Sequence, residues 1–240
     1  MLKKILCYFV CFFCFLHSSY ASTLLEVPEN LIALNTEPGQ KLFKATPDKY
    51  LNDYWPLSQY FVTERGLAFC APASIVIVLN ALGKTPKVAP EHYPYKLFNQ
   101  TNLFFNSEIL NANITPAMIN FQGMTLDKAA FVLKHYANEV KTYHGNEIMG
   151  VKQFREMLIK TLMTKNQFII INFYRKTISE SGGGHFSPIA AYNPETDRFL
   201  ILDVARYKYP PVWVKAEELL KAILGIDSTS KKARGFIIVS

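Results

Sequence analysis

The sequence predicts an α+β fold in which a helical lobe packs on an antiparallel β-sheet lobe, and the order of its apolar patterns carries that reading. Apolar residues at helical spacing dominate up to about residue 164; short β-branched and aromatic runs separated by turn residues follow. Half of the 240 residues are hydrophobic and 19% are charged, enough apolar material for one full core and too little charge for a disordered chain. No internal repeat is visible.

Residues 1–21 have the three parts of a secretory signal: Lys3 and Lys4, an apolar run from Ile5 to Leu16, and the small residues Ser19 and Ala21 ahead of Ser22. That run is too short to span a bilayer comfortably, so the expectation is cleavage near Ala21, export to a periplasm or beyond, and no stable membrane insertion afterwards. Residues 22–240 then form a single catalytic domain. Cleavage discards Cys7, Cys11 and Cys14, leaving Cys70 as the one cysteine. A lone thiol in an exported protein points to function more than to packing.

Residues 22–60, punctuated by Pro28, Pro38, Pro47 and Pro56, read as an extended arm with turns. A helix is predicted from Cys70 to Leu82, with Pro72 in its first turn and Gly83 at its C-terminal cap. Lys84 to Asn113, rich in proline, asparagine and aromatic residues, reads as an irregular wall over the core. Thr115-Pro116 and Thr125-Leu126-Asp127 are helix starts, the second leading into Leu126, Ala129, Ala130, Leu133 and Tyr136 on one face. Another helix runs from about Val151 to Thr164. Strands are predicted at 167–174, 185–192 and 198–204, the last two joined by a turn at Asn193 to Asp197. A helix over Trp213 to Leu224 and a strand over 235–240 complete the chain.

Cys70 at a helix N-terminus lies beside unpaired N–H groups and the positive end of the helix dipole, which favour the thiolate. Gly182-Gly183-Gly184-His185 strips side chains from the approach to a strand and leaves an imidazole at its start. Asp203 lies near the end of the next strand; if the two strands pair, it falls at the same open end of the hairpin as His185. Packing cysteine, incidental loop histidine and solvated strand end are the plain alternatives for each residue singly. Together Cys70, His185 and Asp203 supply a nucleophile, a base and an orienting carboxylate, the set needed for acyl transfer.

Other functions find less support. The one C-x-x-C, Cys11 to Cys14, lies in the predicted signal, and beyond it there is neither a C-x-x-C nor an H-x-x-x-H, so no dedicated metal site is expected. The glycines precede a strand with no Lys-Ser/Thr after them, which excludes a phosphate loop. The net charge of +7 is scattered, Lys3 and Lys4 contributing two, and no basic-aromatic stripe marks a nucleic-acid surface.

The segments Ala68-Phe69-Cys70 to Leu82, Gly184-His185-Phe186-Ser187-Pro188-Ile189, Tyr192-Asn193, Asp197-Arg198, Leu202 to Pro211, Trp213-Val214 and Arg234-Gly235-Phe236 closely resemble the phytochelatin synthase family. The resemblance covers about residues 50–240 and is similar to the short bacterial form, which lacks a cysteine-rich C-terminal extension. It implies a papain-like cysteine protease fold and an enzyme that attacks the Cys–Gly bond of glutathione, releases glycine and holds a γ-glutamylcysteinyl thioester. Transfer to a second glutathione gives phytochelatin; transfer to water, γ-glutamylcysteine. Cys70, His185 and Asp203 match the family's catalytic positions. Gly184, Arg206, Asp227 and Arg234 stand near its substrate site, a guanidinium suiting the γ-glutamyl carboxylate and an aspartate its ammonium. Heavy-metal ions such as cadmium or zinc would enter as glutathione thiolate complexes, and a homodimer is left open.

The sequence departs from the family pattern at two positions. Glu64, six residues before the nucleophile, replaces a glutamine whose amide belongs to the oxyanion hole, and Ala71 replaces a glycine. An ionised carboxylate at Glu64 would oppose a term worth about 3 kcal/mol. Two further readings follow: a papain-like peptidase acting on ordinary peptides, and a catalytically impaired thiol-binding protein.

Overall fold

The computed structural model describes residues 24–240; the predicted signal at 1–21 lies outside them. The described chain is mixed α/β with an antiparallel sheet. Its elements are β1 (Ile32–Ala33), α1 (Glu37–Ala45), α2 (Tyr54–Gln59), α3 (Cys70–Ala81), α4 (Ser107–Asn111), α5 (Pro116–Gln122), α6 (Leu126–Lys134), β2 (Val140–His144), α7 (Val151–Leu162), β3 (Phe168–Tyr174), β4 (Gly184–Asn193), β5 (Arg198–Ile201), β6 (Val212–Lys215), α8 (Ala216–Ile223) and β7 (Gly235–Val239). The strands form one sheet in the order β1-β6-β5-β4-β3-β7-β2, every neighbouring pair antiparallel.

The sheet is buried on both faces, which is why its strands read as nearly continuous apolar runs. Along β3, Phe168 and Ile170 join the core that holds α3 and α6, while Ile169, Ile171 and Phe173 join the core formed with α7 and α8. The helices therefore do not form one lobe beside the sheet. α3 and α6 cover one face; α7 and α8, through Phe154, Leu158, Leu219 and Ile223, cover the other.

Three local expectations change. The arm at 22–60 contains α1 and α2, because Pro38 falls in the first turn of a helix capped by the Thr36 side chain, where a proline starts a helix instead of breaking it. β1 joins that arm to the sheet edge through Ile32 and Ala33 opposite Trp213 and Val212. Val212–Lys215 is strand, not helix: Trp213 and Val214 pair with Leu200 and Phe199, and α8 starts only at Ala216. Third, β5 ends at Ile201, short of the predicted Val204. Leu202 N–H still donates to Pro188 O at 3.0 Å, holding the chain beside β4 just long enough to set Asp203 against His185.

Thr115 and Thr125 do cap their helices, accepting from Met118 N–H and Lys128 N–H. Gly83 takes the left-handed φ of +68° that ends α3. Among the described residues no helix is long and apolar enough to cross a membrane.

Asp53 stands ahead of α2, 3% exposed, with Oδ2 unpartnered. Burial raises its carboxyl from the ordinary 3.8 to about 9. The unfolded chain therefore gives up this proton first, and the stability linked to it is complete below about pH 4 and lost as pH rises towards 9. Thermal melts between pH 5 and 9 should show a decline in the wild type that Asp53→Asn flattens; parallel curves would exclude a protonated Asp53.

Candidate active site

α3 delivers Cys70, the candidate nucleophile. Phe69 precedes it in a non-helical conformation, its N–H bound to Gly66 O at 2.9 Å, so that Cys70 opens the helix. The helix is buried from Cys70 to Asn80 and packs against β4. Asn80 accepts from Phe98 N–H and donates to Phe98 O, both at 2.9 Å, which pins the wall at 84–113 to the helix. Cys70 itself is 8% exposed.

β4 delivers His185, the candidate base. His185 lies across from Phe173 of β3, whose ring stands edge-on to the imidazole at 5.6 Å. His185 Nε2 lies 2.9 Å from Asp203 Oδ1. With Nε2–H donating to the carboxylate, Nδ1 is the nitrogen left to accept a proton. The Cys70 sulfur, a His185 ring nitrogen and a Glu64 carboxylate oxygen all lie within 4.8 Å of one another. The three residues predicted to act together are thus brought together.

Asp203 is held by more than the histidine. It accepts from Ala205 N–H at 2.8 Å and from Arg175 Nη2 at 2.8 Å, and Arg175 Nη1 lies 2.7 Å from its second oxygen. Arg175 also pairs with Glu180, and its guanidinium sits near the Phe173 and Tyr209 rings. Sequence reasoning missed Arg175 and Glu180, since neither belongs to a local motif. Although burial pushes the other way, His185 and Arg175 hold Asp203 well below the usual carboxylate range. Burial outweighs the Arg175 charge at Glu180 and raises it to about 7.

The nucleophile behaves differently from the expectation. Burial, with the charge of Glu64 added, pushes the Cys70 thiol up to about 12, against backbone hydrogen bonds at Phe186 and Ala71 that pull it down. Burial likewise lowers His185 to about 4 despite Asp203. Both shifts favour a neutral thiol beside a neutral imidazole, desolvation working against what the helix N-terminus offers. Glu64 is raised by its own burial, and Tyr207 donates to its Oε1 at 2.5 Å while Oε2 has no partner. Tyr207 is another residue that the sequence did not single out.

Beside Cys70 opens a cleft of about 290 Å³ whose lining includes Asn172, Gly184, Phe186, Asp227 and Arg234. Leu67 and Phe121 stand at it, 88% and 91% exposed. Arg234 Nη1 lies 3.2 Å from Asp227 Oδ2 and 3.4 Å from Asn172 Oδ1, leaving Nε buried and unpartnered. Gly184 leaves room for the guanidinium as it sits: a Cβ would fall 2.0 Å from Arg234 Nη1. Arg206 is not in the lining; it is exposed and lies 4.9 Å over the Phe61 ring. A larger groove of about 570 Å³ beneath residues 24–38 contains no cysteine or histidine.

A family model described as phytochelatin synthase matches residues 22–236. Glutathione gamma-glutamylcysteinyltransferase 3 of Lotus japonicus is 32% identical over 203 residues, 84% of this chain and 40% of the relative. The Arabidopsis thaliana protein named glutathione gamma-glutamylcysteinyltransferase 1 is 30% identical over 224 residues, 93% and 44%. That of Schizosaccharomyces pombe is 26% identical over 215 residues, 89% and 50%. The chain thus spans half or less of these relatives' length.

A neutral resting pair has a signature in alkylation. The rate of Cys70 modification by iodoacetamide should climb about tenfold per pH unit from pH 6 to 9, following the thiolate fraction. Glu64→Gln should raise the rate at fixed pH by removing the nearby carboxylate. A plateau between pH 5 and 8 would instead identify a preformed thiolate–imidazolium pair.

Proposed function

The chain belongs to the phytochelatin synthase family, and from that membership we propose that it is a glutathione γ-glutamylcysteinyltransferase with glutathione hydrolase activity, working through a Cys70 thioester on a papain-like scaffold. The observation that carries the proposal is the junction of the Cys70–His185–Asp203 array with a polar cleft holding Arg234 and Asp227. Glutathione suits that cleft chemically. Its carboxylates match a guanidinium and its ammonium an aspartate, and the opposing pair within the cleft separates the two.

In the reaction, His185 Nδ1 takes the Cys70 proton as the sulfur attacks the Cys–Gly carbonyl. The oxyanion forms near the Cys70 N–H, which has no partner within its own helix. Glycine leaves with the proton returned by His185, and the acyl group stays on sulfur. Water then gives γ-glutamylcysteine, or the amine of a second glutathione gives phytochelatin. Asp203 keeps the imidazole oriented and steadies its transient charge. Substrate binding displaces water from a site whose pair is neutral at rest, so proton transfer and attack are coupled. Heavy-metal ions take part in the reaction mainly as thiolate complexes of the substrate, and the predicted signal supports action outside the cytoplasm.

Glu64 favours one other reading. Its carboxylate, within 4.8 Å of the sulfur, opposes negative charge, as in a thiol-binding protein with impaired turnover.

The test is glycine release from glutathione by residues 22–240, with and without cadmium, products scored by mass. Release is expected with Cys70 and none with Cys70→Ala; glutathione binding without release would favour the impaired protein. Glu64→Gln should increase turnover by about tenfold to a hundredfold, because an amide can donate to the oxyanion. An unchanged rate would place Glu64 outside the oxyanion region.

The cleft makes a separate prediction. Gly184→Ala should drive the Arg234 guanidinium out of place and raise KM for glutathione about tenfold. An unaltered KM would remove Arg234 from substrate recognition.

A further inference from the structure

Glu64, Cys70 and His185 are the one cluster among the described residues whose donor atoms are grouped closely enough to hold a metal ion. We propose that this trio binds a thiophilic divalent cation, zinc or cadmium, directly, so that free metal occupies the nucleophile. The site departs from the expectation that metals reach this protein only on its substrate. Residue spacing could not reveal it, since the three donors come from a loop, a helix start and a strand.

Two independent features support it. One is the donor set: a thiolate, an imidazole and a carboxylate are ligands that zinc takes in three-residue sites with an open fourth position, and thiolate selects soft ions. Metal–ligand bonds of about 2.0–2.3 Å at tetrahedral angles put donors roughly 3.5 Å apart. Starting within 4.8 Å, these atoms need only small side-chain rotations. The other feature is the state of Glu64. It is 6% exposed, tied through Oε1 to Tyr207, and its second oxygen is buried with no partner. A cation bound through Oε2 would satisfy that oxygen.

The surroundings are already arranged for coordination. Asp203 holds His185 by Nε2, the relay of carboxylate, histidine and metal that fixes a ligating imidazole. Backbone hydrogen bonding ties Glu64 N–H to Val204 O at 2.9 Å, so the carboxylate is anchored next to the Asp203 loop. On binding, the Cys70 S–H proton leaves to solvent and a metal–sulfur bond forms; nothing is oxidised or reduced. The sulfur lone pair engaged by the metal is then withdrawn from attack on a carbonyl. The fourth position is open to water or to the thiolate of an incoming peptide. The same ion thus inhibits when free and is accepted when already wrapped by substrate thiols.

The experiment is a titration of residues 22–240 with cadmium chloride alone, free of thiols, following the ultraviolet thiolate-to-cadmium charge-transfer band. One equivalent is expected, the band vanishing in Cys70→Ser and Kd rising at least about tenfold in Glu64→Gln, the minimum seen when even outer partners of a metal are lost. Circular dichroism checks that each variant is folded. X-ray absorption of the zinc-loaded wild type provides a measurement independent of any variant: one sulfur with nitrogen and oxygen neighbours is expected. A shell of nitrogen and oxygen only, or a Glu64→Gln Kd equal to that of the wild type, overturns the proposal. The catalytic reading shares this site but is measured separately, by glycine release. Loss of the metal titration leaves acyl transfer standing, and absence of glycine release leaves the titration to be judged by itself.

Discussion

A guanidinium buried between two carboxylates organises the centre of this protein. Arg175 is 3% exposed and faces Asp203 and Glu180, which are scarcely exposed themselves. Ions so deep in a protein are costly to desolvate, and a buried pair that loses one partner typically forfeits 3–5 kcal/mol. The arrangement is therefore fixed in geometry even though it adds little net stability. It closes the β3–β4 hairpin, because Arg175 follows β3 and Glu180 lies on the return to β4. Together with His185 itself, it favours the ionised form of the carboxylate beside that histidine. Without that charge the imidazole, already disfavoured as a cation by burial, would have nothing to receive its proton against.

Glu64 is the counterweight. Arg175 and Lys208 lie near enough to favour its charge, while burial and Asp203 oppose it, and Tyr207 bonds only one of its oxygens. The site consequently holds a carboxylate acceptor within 4.8 Å of the Cys70 sulfur, one of whose oxygens has no partner. For an oxyanion that acceptor is an obstacle; for a cation it is a ligand. Which effect prevails depends on what enters the cleft, and both follow from the one carboxylate.

Much of the fold was legible because its signals are local. Thr115, Thr125, Pro72 and Gly83 act at helix ends through the nearest backbone groups, and the β-branched runs at 168–174 and 198–201 allow little but strand. The candidate catalytic residues were legible for a different reason: a cysteine at a helix start and a histidine and an aspartate at strand ends together make the set that acyl transfer requires. What escaped depends on neighbours. β2 carries a mixed Val-Lys-Thr-Tyr-His run that becomes a strand only because β7 lies beside it. Trp213 and Val214 fit a helix start as well as a strand, and pairing with β5 decides. Arg175 and Glu180 are unremarkable letters until the hairpin closes. Arg206 shows the reverse case, a residue whose charge suits the substrate but which the chain turns out to solvent.

The thiol illustrates why position on a helix does not fix chemistry by itself. A helix N-terminus favours a thiolate by a small amount, on the order of 1 kcal/mol, and the effect is strongest where charge is only partly buried. Here the first turn is sealed by Phe69 behind and β4 above, and the loss of hydration outweighs the dipole. In the proposed reaction and at the proposed metal site the sulfur needs a partner that arrives with the ligand, either a carbonyl to attack as its proton passes to His185 or a metal ion to replace that proton. Burial is thus what makes the nucleophile conditional. The same exclusion of water that keeps the pair neutral strengthens every charge interaction once a ligand is seated, so a resting site that is chemically quiet and an occupied site that is reactive are two consequences of one packed interface between α3 and β4.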